Sequence, residues 1–277
     1  MKYCYHTHTN FCDGDKEPEE YVLKAMELGF FALGFSGHAP VPLENNFAIP
    51  ENRLDEYCVE IRRLKALYKH KINILLGLEI DYIPGITYSF QMFRERCSLD
   101  YDIGSVHLVR NPENGKLWFI DGPHTEIYDE GLLSVFHGDI QKAVKSYFAQ
   151  INDMIMLEKP QIIGHLDKIR MHNADRYFSE QEIWYQELLT QTLDNIKESG
   201  AVVEINTRGK YKKRSDTFFP SSLAFSMMSE MAIPVMIGTD AHKVEELSLE
   251  FQQALLLLKN AGYVADDSGL FVIHRKR

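Results

Sequence analysis

Apolar and polar positions along this chain follow two periods that take turns. Short apolar or alternating runs of strand length occur at about Lys2–His6 and at "FALGFS", "INILLGLEI", "YDIGSVH", "QIIGH", "AVVEIN" and "PVMIGTD". Between them lie stretches with a helical period. "EPEEYVLKAMELG" has Pro18 near its first turn and Gly29 as its stop. Others cover about 52–69, 138–157 and 180–198, with a shorter one near 220–230 and a final one near 245–261. "NPENGKLWF" reads as an inserted turn and "LFVIH" as a last strand. Strands that alternate with helices in this way predict an α/β protein built on a parallel sheet. No repeat, low-complexity stretch or linker interrupts the alternation, so a single domain over residues 1–277 is expected.

The chemistry-bearing residues follow the same pattern. His6 ends the first strand, His38 follows the second, Glu79 ends the third, His107 the fourth and His165 the fifth. Glu204 and Asn206 end the sixth, and Asp240 and His242 follow the seventh. In a parallel barrel these strand ends open at one mouth, so the order of elements delivers the set to a single site. His6 and His8 stand two apart, which on a strand puts both imidazoles on one face. Asp240 and His242 repeat that spacing, and Glu79 offers two oxygens. A lone histidine at a strand end is ordinarily a hydrogen-bonded structural residue. Here His6, His8, His38, His107, His165 and His242 all fall beside strand ends. His70, His124, His137, His172 and His274 fall in helices, loops or the tail, outside the pattern. Mixed imidazole and carboxylate donors suit zinc, iron or manganese better than calcium or magnesium.

Composition narrows the class. Thirty basic against forty acidic side chains give a net charge of −10, which repels nucleic acid. The exception is "RGKYKKR" at 208–214. Cys4, Cys12, Cys58 and Cys97 show no metal or disulfide spacing, so reduced thiols and a cytoplasmic location are expected. No basic-then-apolar leader opens the chain. No apolar run approaches the roughly 18 residues of a membrane span, so no membrane partner is expected.

Taken in order, "HTHTNFCDG", "GFSGHAP", "GLEIDYIPG", "GSVH", "IIGHLDK", "EINTRG" and "GTDAH" resemble the polymerase and histidinol phosphatase (PHP) family. More narrowly they are similar to its histidinol-phosphate phosphatases. The resemblance runs from His6 to His242 and implies a distorted seven-unit, TIM-like β/α barrel with three divalent metal ions at the strand ends. It implies one ion on His6, His8, Glu79 and Asp240, and a second on Glu79, His107 and His165. A third would take Asp13, His38 and His242. Many members carry a histidine where this chain has Asp13, and Asp15 and Cys12 are close enough to compete.

The resemblance implies hydrolysis of a small phosphorylated amino alcohol, L-histidinol phosphate, with Glu79, Asp240 and His242 as the catalytic candidates. Closely spaced metal ions would activate water and offset charge on phosphorus. Asp240 and His242 both remain candidates for moving the proton. Arg208 and Arg170 are the candidate phosphate clamps, with Lys210 and Arg214 assisting. Glu204, Asp81 and the segment Trp118–His124 are candidates for the amino end of the substrate. The competing expectations are hydrolysis of another small phosphate ester or a nucleotide, and C–N hydrolysis of the amidohydrolase type. The latter usually bridges its metals through a modified lysine at strand four, where this chain has His107. A metal-storing protein without catalysis fits least, because these donors leave coordination positions open.

Overall fold

The computed structural model describes residues 2–266 and 269–273; His274 lies outside the described residues. Strands β1 (Lys2–Cys4), β2 (Phe30–Phe35), β3 (Asn73–Asp81) and β4 (Tyr101–Ser105) come first, with helices α1 (Pro18–Glu27), α2 (Leu54–Tyr68) and α3 (Phe90–Cys97) between or after them. A hairpin of β5 (Leu108–Arg110) and β6 (Leu117–Phe119) and helix α4 (Thr125–Phe136) are inserted next, followed by α5 (Ile140–Leu157). The sheet resumes with β7 (Ile162–Ile163), α6 (Ile183–Ser199) and β8 (Val202–Asn206). A short α7 (Arg208–Tyr211), α8 (Ser222–Met231), β9 (Val235–Gly238), α9 (Phe251–Asn260), β10 (Val264–Ala265) and β11 (Phe271–Val272) complete the order.

The main sheet runs β1-β2-β3-β4-β7-β8-β9-β11-β10, and every pairing from β1 to β9 is parallel. The sheet curls. Thr7, just past β1, forms a parallel bridge with Ala241, just past β9. His8 N donates to Ala241 O at 2.8 Å, so the first and last of these strands meet at their C-terminal ends. At the other end β11 pairs antiparallel with Val235 of β9. The predicted last strand is therefore real but lies on the edge of the curl. The result is an α/β fold with a curled, mostly parallel sheet.

Its core has two sides. Apolar strand residues such as Leu33, Leu76, Leu78 and Val203 are buried beneath the helices, while Ile103 joins Tyr101, Ile162 and Met236 in a smaller cluster on the other face of the sheet. The predicted elements have counterparts within a few residues, with three differences. Residues 108–119 form a β-hairpin rather than a plain turn, and α3 and α4 carry no clear signal in the sequence. The helix expected over 245–261 splits into a 3₁₀ turn, Val244–Ser248, and α9. The break falls at Glu250, whose φ is +60°. Glu246, in that first turn, is drawn inward, where its carboxylate accepts from His242 N at 2.9 Å and Lys243 N at 3.2 Å.

Candidate metal centre

The strand ends meet around Glu79, which is almost fully buried. Its Oε2 lies 3.2 Å from His6 Nε2, 3.5 Å from His8 Nε2 and 3.1 Å from His38 Nδ1. Its Oε1 lies 3.0 Å from His165 Nε2 and 3.6 Å from His107 Nε2, and accepts from Ser105 Oγ at 2.6 Å. The two oxygens thus serve two different groups of imidazoles. Asp240 Oδ1 stands 3.4 Å from His8 Nε2 and 3.8 Å from His6 Nε2. Asp13, exposed at the rim, reaches His242 Nε2 at 3.2 Å, His8 Nδ1 at 3.7 Å and His38 Nε2 at 3.8 Å. All nine residues expected from the sequence as ligands are brought together.

Asp15 is turned away: its carboxylate accepts from Tyr21 Oη at 3.2 Å. Cys12 Sγ is 3.6 Å from His8 Nδ1, but burial, with Asp13 beside it, pushes its thiol up to about 12. It packs as a neutral side chain. His172 is occupied by Gly122 O at 2.7 Å, while His124 and His137 sit at the two ends of α4.

Local backbone shape aims the set. His38 bridges to Glu79, and Ala39 N donates to Glu79 O at 2.8 Å. His165 and Asp240 both have positive φ, +22° and +51°, unusual for residues with a side chain. Such backbone strain persists only where its surroundings hold it. His165 N is held by Glu204 Oε2 at 3.0 Å, and Asp240 O accepts from Arg208 Nη1 at 2.8 Å.

A second layer fixes the imidazoles. Glu204 is fully buried, and its Oε1 contacts His6 Nδ1 at 2.5 Å. Asp81 Oδ1 contacts His107 Nδ1 at 2.9 Å. His242 Nδ1 donates to Asp240 O at 3.0 Å, which turns Nε2 toward Asp13. Glu204 and Asp81 therefore lie behind the histidines instead of facing a substrate's amino group. Trp118 does not face a substrate either: it is buried in the core, with Nε1 donating to Tyr128 O at 2.9 Å.

The charges are strongly coupled. Burial lowers the His6 pKa, but Glu204, Glu79 and Asp240 outweigh it and hold the group well above the usual histidine value. Burial, His242 and His38 hold His8 well below that value. Burial lowers His107 too, yet Asp81 and Glu79 bring it up to about 9. Burial would raise Glu79, but His6, His38 and His107 keep it well below the carboxylate range. Asp240 is held low in the same sense, with His6, Arg208 and His8 overcoming its burial.

The donor set fits cations. His6 Nε2, His8 Nε2 and His38 Nδ1 are buried without a hydrogen bond, although all three face Glu79 Oε2. Unpaired buried polar atoms are costly, and a shared cation would satisfy them. Three overlapping groups hold donor atoms within 4.8 Å of one another: His8, Asp13, His38 and His242; His6, His8 and Asp240; and His38, Glu79 and His107.

Asp13, His38, Glu79, His107, Asp240 and His242 floor a cavity of about 510 Å³ that Arg208, Arg214, Asp121 and Phe47 also line. Arg208 is among the lining residues, with Nη1 held by Asp240 O and Tyr211 Oη. Arg170 is not: it pairs with Asp167 at 3.4 Å and Glu180 at 2.9 Å in a neighbouring cavity. One residue, Lys168, escaped the sequence reading, while Asp121 falls in the candidate segment Trp118–His124. Lys168 is buried, with Nζ 3.0 Å from Asp121 and 4.0 Å from Asp240. Asp121 is 3.7 Å from His107 Nε2. A lysine three residues after His165 was the available signal, since a buried lysine needs a partner.

Comparison with known proteins decides the family. The PHP domain matches residues 5–208, a span that holds the whole set except Asp240 and His242. The chain belongs to the PHP domain family. The histidinol-phosphatase of Bacillus subtilis is 26% identical over 265 residues, covering 90% of this chain and 97% of that protein. A crystal structure of a candidate histidinol phosphatase from Listeria monocytogenes superposes with a TM-score of 0.77 at 25% identity, covering 91% of this PHP chain and 99% of that one. The histidinol phosphate phosphatase of Lactococcus lactis, solved with zinc, L-histidinol and phosphate, shares the fold at a TM-score of 0.65 and 23% identity, covering 94% of each chain.

Proposed function

We propose that this chain is a metal-dependent phosphoric monoester hydrolase that converts L-histidinol phosphate to L-histidinol and phosphate, a step of histidine biosynthesis. The observation that carries this reading is the convergence of imidazoles and carboxylates on Glu79 at the floor of an arginine-lined cavity. The Bacillus relative named histidinol-phosphatase and the Lactococcus structure with zinc, L-histidinol and phosphate support the substrate. In this reading three divalent ions of zinc, iron or manganese would be held by His6, His8, Glu79 and Asp240, by Glu79, His107 and His165, and by Asp13, His38 and His242, the sets that the family resemblance implies. When bound, they supply Lewis acidity and an activated water near neutral pH.

The residues do the rest. Glu204 and Asp81 orient His6 and His107 through their Nδ1 atoms. Water adds to phosphorus and the ester oxygen leaves as the alcohol, so one proton must reach the leaving oxygen. Asp240 and His242 line the cavity and are the groups read as carrying it. Arg208 and Arg214 offer guanidinium groups to the phosphate oxygens. Seven successive parallel strands, with Thr7 bridged to Ala241, support the distorted seven-unit barrel as a single domain over 1–277. Four free cysteines support a cytoplasmic location, and the net charge of −10 supports a small-molecule partner over nucleic acid. Among the described residues no helix is long and apolar enough to cross a membrane.

Phosphate release from a panel tests the reading: histidinol phosphate, sugar phosphates, nucleotides and an aryl phosphodiester. Histidinol phosphate is expected to turn over fastest, and exhaustive chelation to abolish turnover until divalent metal is restored. Full activity without metal, or a preference for nucleotides, refutes it. Arg208→Ala is expected to lower kcat/KM about ten- to hundredfold, since a charged hydrogen bond contributes about 1.5–3 kcal/mol. Arg208→Lys should recover part of this, because a point charge cannot reproduce the planar fork. Arg170→Ala should stay near the parent rate, as Arg170 lines a different cavity. Steady-state kinetics of the three variants checks the assignment.

A further inference from the structure

The cavity carries one carboxylate that the metal centre leaves free. Asp13, Glu79 and Asp240 belong to the ligand set, and Asp121 is neutralised by Lys168 at 3.0 Å. Glu44 lines the same cavity and has no ion pair or hydrogen bond among the described residues. It is held in place by its neighbour. Asn45 Oδ1 accepts from Phe47 N at 3.3 Å and Ala48 N at 2.9 Å, while its Nδ2 donates to Leu43 O at 2.8 Å. That side-chain turn fixes the segment between β2 and α2 and presents Glu44 and Phe47 together. Phe47 packs edge-on against His38, with ring centroids 5.3 Å apart. Leu108, Phe119 and Pro123 add apolar surface to the cavity. One rim thus combines an uncompensated negative charge with room for a flat or aliphatic group, next to the centre that would hold the phosphate.

We infer that Glu44 is a specificity residue that selects phosphate monoesters whose alcohol carries an ammonium group, by pairing with that cation while the phosphate lies at the metal centre. This rests on the phosphatase reading. The pairing explains how an acidic rim can favour a dianionic ester: the substrate's own cation offsets the repulsion, and a neutral alcohol has nothing to offset it. Glu44 acts on which ester binds and takes no part in breaking the P–O bond.

The test uses phosphoethanolamine and propyl phosphate, which differ in an ammonium against a methyl group, alongside histidinol phosphate. The parent protein should show a higher kcat/KM for phosphoethanolamine than for propyl phosphate. Glu44→Gln should reduce that preference about three- to tenfold, the range between an exposed ion pair and a charged hydrogen bond. Glu44→Lys should reduce it further, because the new cation repels the ammonium and attracts the phosphate of either ester. The position is exposed, so both variants are expected to fold. A parent without the preference, or variants that keep it, overturn the inference. Histidinol phosphate hydrolysed equally well by parent and Glu44→Gln removes this role and leaves the phosphatase reading standing. A parent inactive on histidinol phosphate that still shows a Glu44-dependent preference for the ammonium ester overturns the histidinol phosphate assignment and leaves the role of Glu44 standing.

Discussion

Glu79→Gln is expected to lower turnover by about a hundred- to a thousandfold, because removing a preorganised electrostatic group from such a centre has effects of that order. It should also weaken two metal positions together. The reason lies in the two faces of one carboxylate. Oε2 meets His6, His8 and His38, while Oε1 meets His107 and His165. A glutamine keeps the shape and can keep the bond from Ser105 Oγ through its carbonyl. Its amide nitrogen then points at three imidazole nitrogens that need a lone pair or a shared cation opposite them. A buried donor facing such a cluster repels cations instead of binding them. Metal analysis of the purified variant, together with steady-state rates, checks the expectation. Full metal occupancy with a near-parental rate would show that the bridging assignment is wrong.

Most of this centre was legible because strand ends are legible. His6 and His8 lie just past β1 on either side of Thr7, whose bridge to Ala241 continues the strand pairing, so their spacing still brings both imidazoles to Glu79. Glu79, His107 and His165 each fall at or beside the end of an apolar run. The sequence order of the strands is also their spatial order from β1 to β9 once the hairpin is set aside, so residues far apart in the chain converge. What escaped notice had weak local signals. Helix α4 contains Gly131, a residue that weakens any helical pattern. The fold explains its presence: a Cβ there would lie 2.2 Å from Cδ1 of Trp118. The roles of Glu204 and Asp81 depended on which way a strand residue faces relative to the histidines, and spacing does not give that. Arg170 follows a strand end as Arg208 does, but the 3₁₀ turn Lys168–Arg170 carries it past the mouth and leaves Lys168 facing Asp121 instead.

The role assigned to Glu204 leads to the second large effect. Its Oε1 holds His6 Nδ1, and its Oε2 accepts from His165 N and Asn206 Nδ2, each at 3.0 Å. Glu204→Gln has one carbonyl for three donors, so its amide nitrogen must face at least one of them. The charge behind His6 also disappears, and outer partners of this kind alter metal affinity or activity about ten- to hundredfold. Gly238→Ala attacks the same carboxylate from the neighbouring strand. A Cβ at Gly238 would lie 1.8 Å from Glu204 Oε1 and 2.7 Å from its Cδ, so Glu204 has to move off His6. Overpacking of this kind costs about 1–3 kcal/mol of stability. Both variants should bind metal more weakly in competition with a chelator, with kcat falling more than KM rises, and excess metal should restore part of the rate. A glutamate that instead paired with the substrate's ammonium would give the opposite split in Glu204→Gln: KM would rise while metal affinity stayed at the parental value. Measuring both quantities on one preparation separates a carboxylate that positions His6 from one that binds substrate.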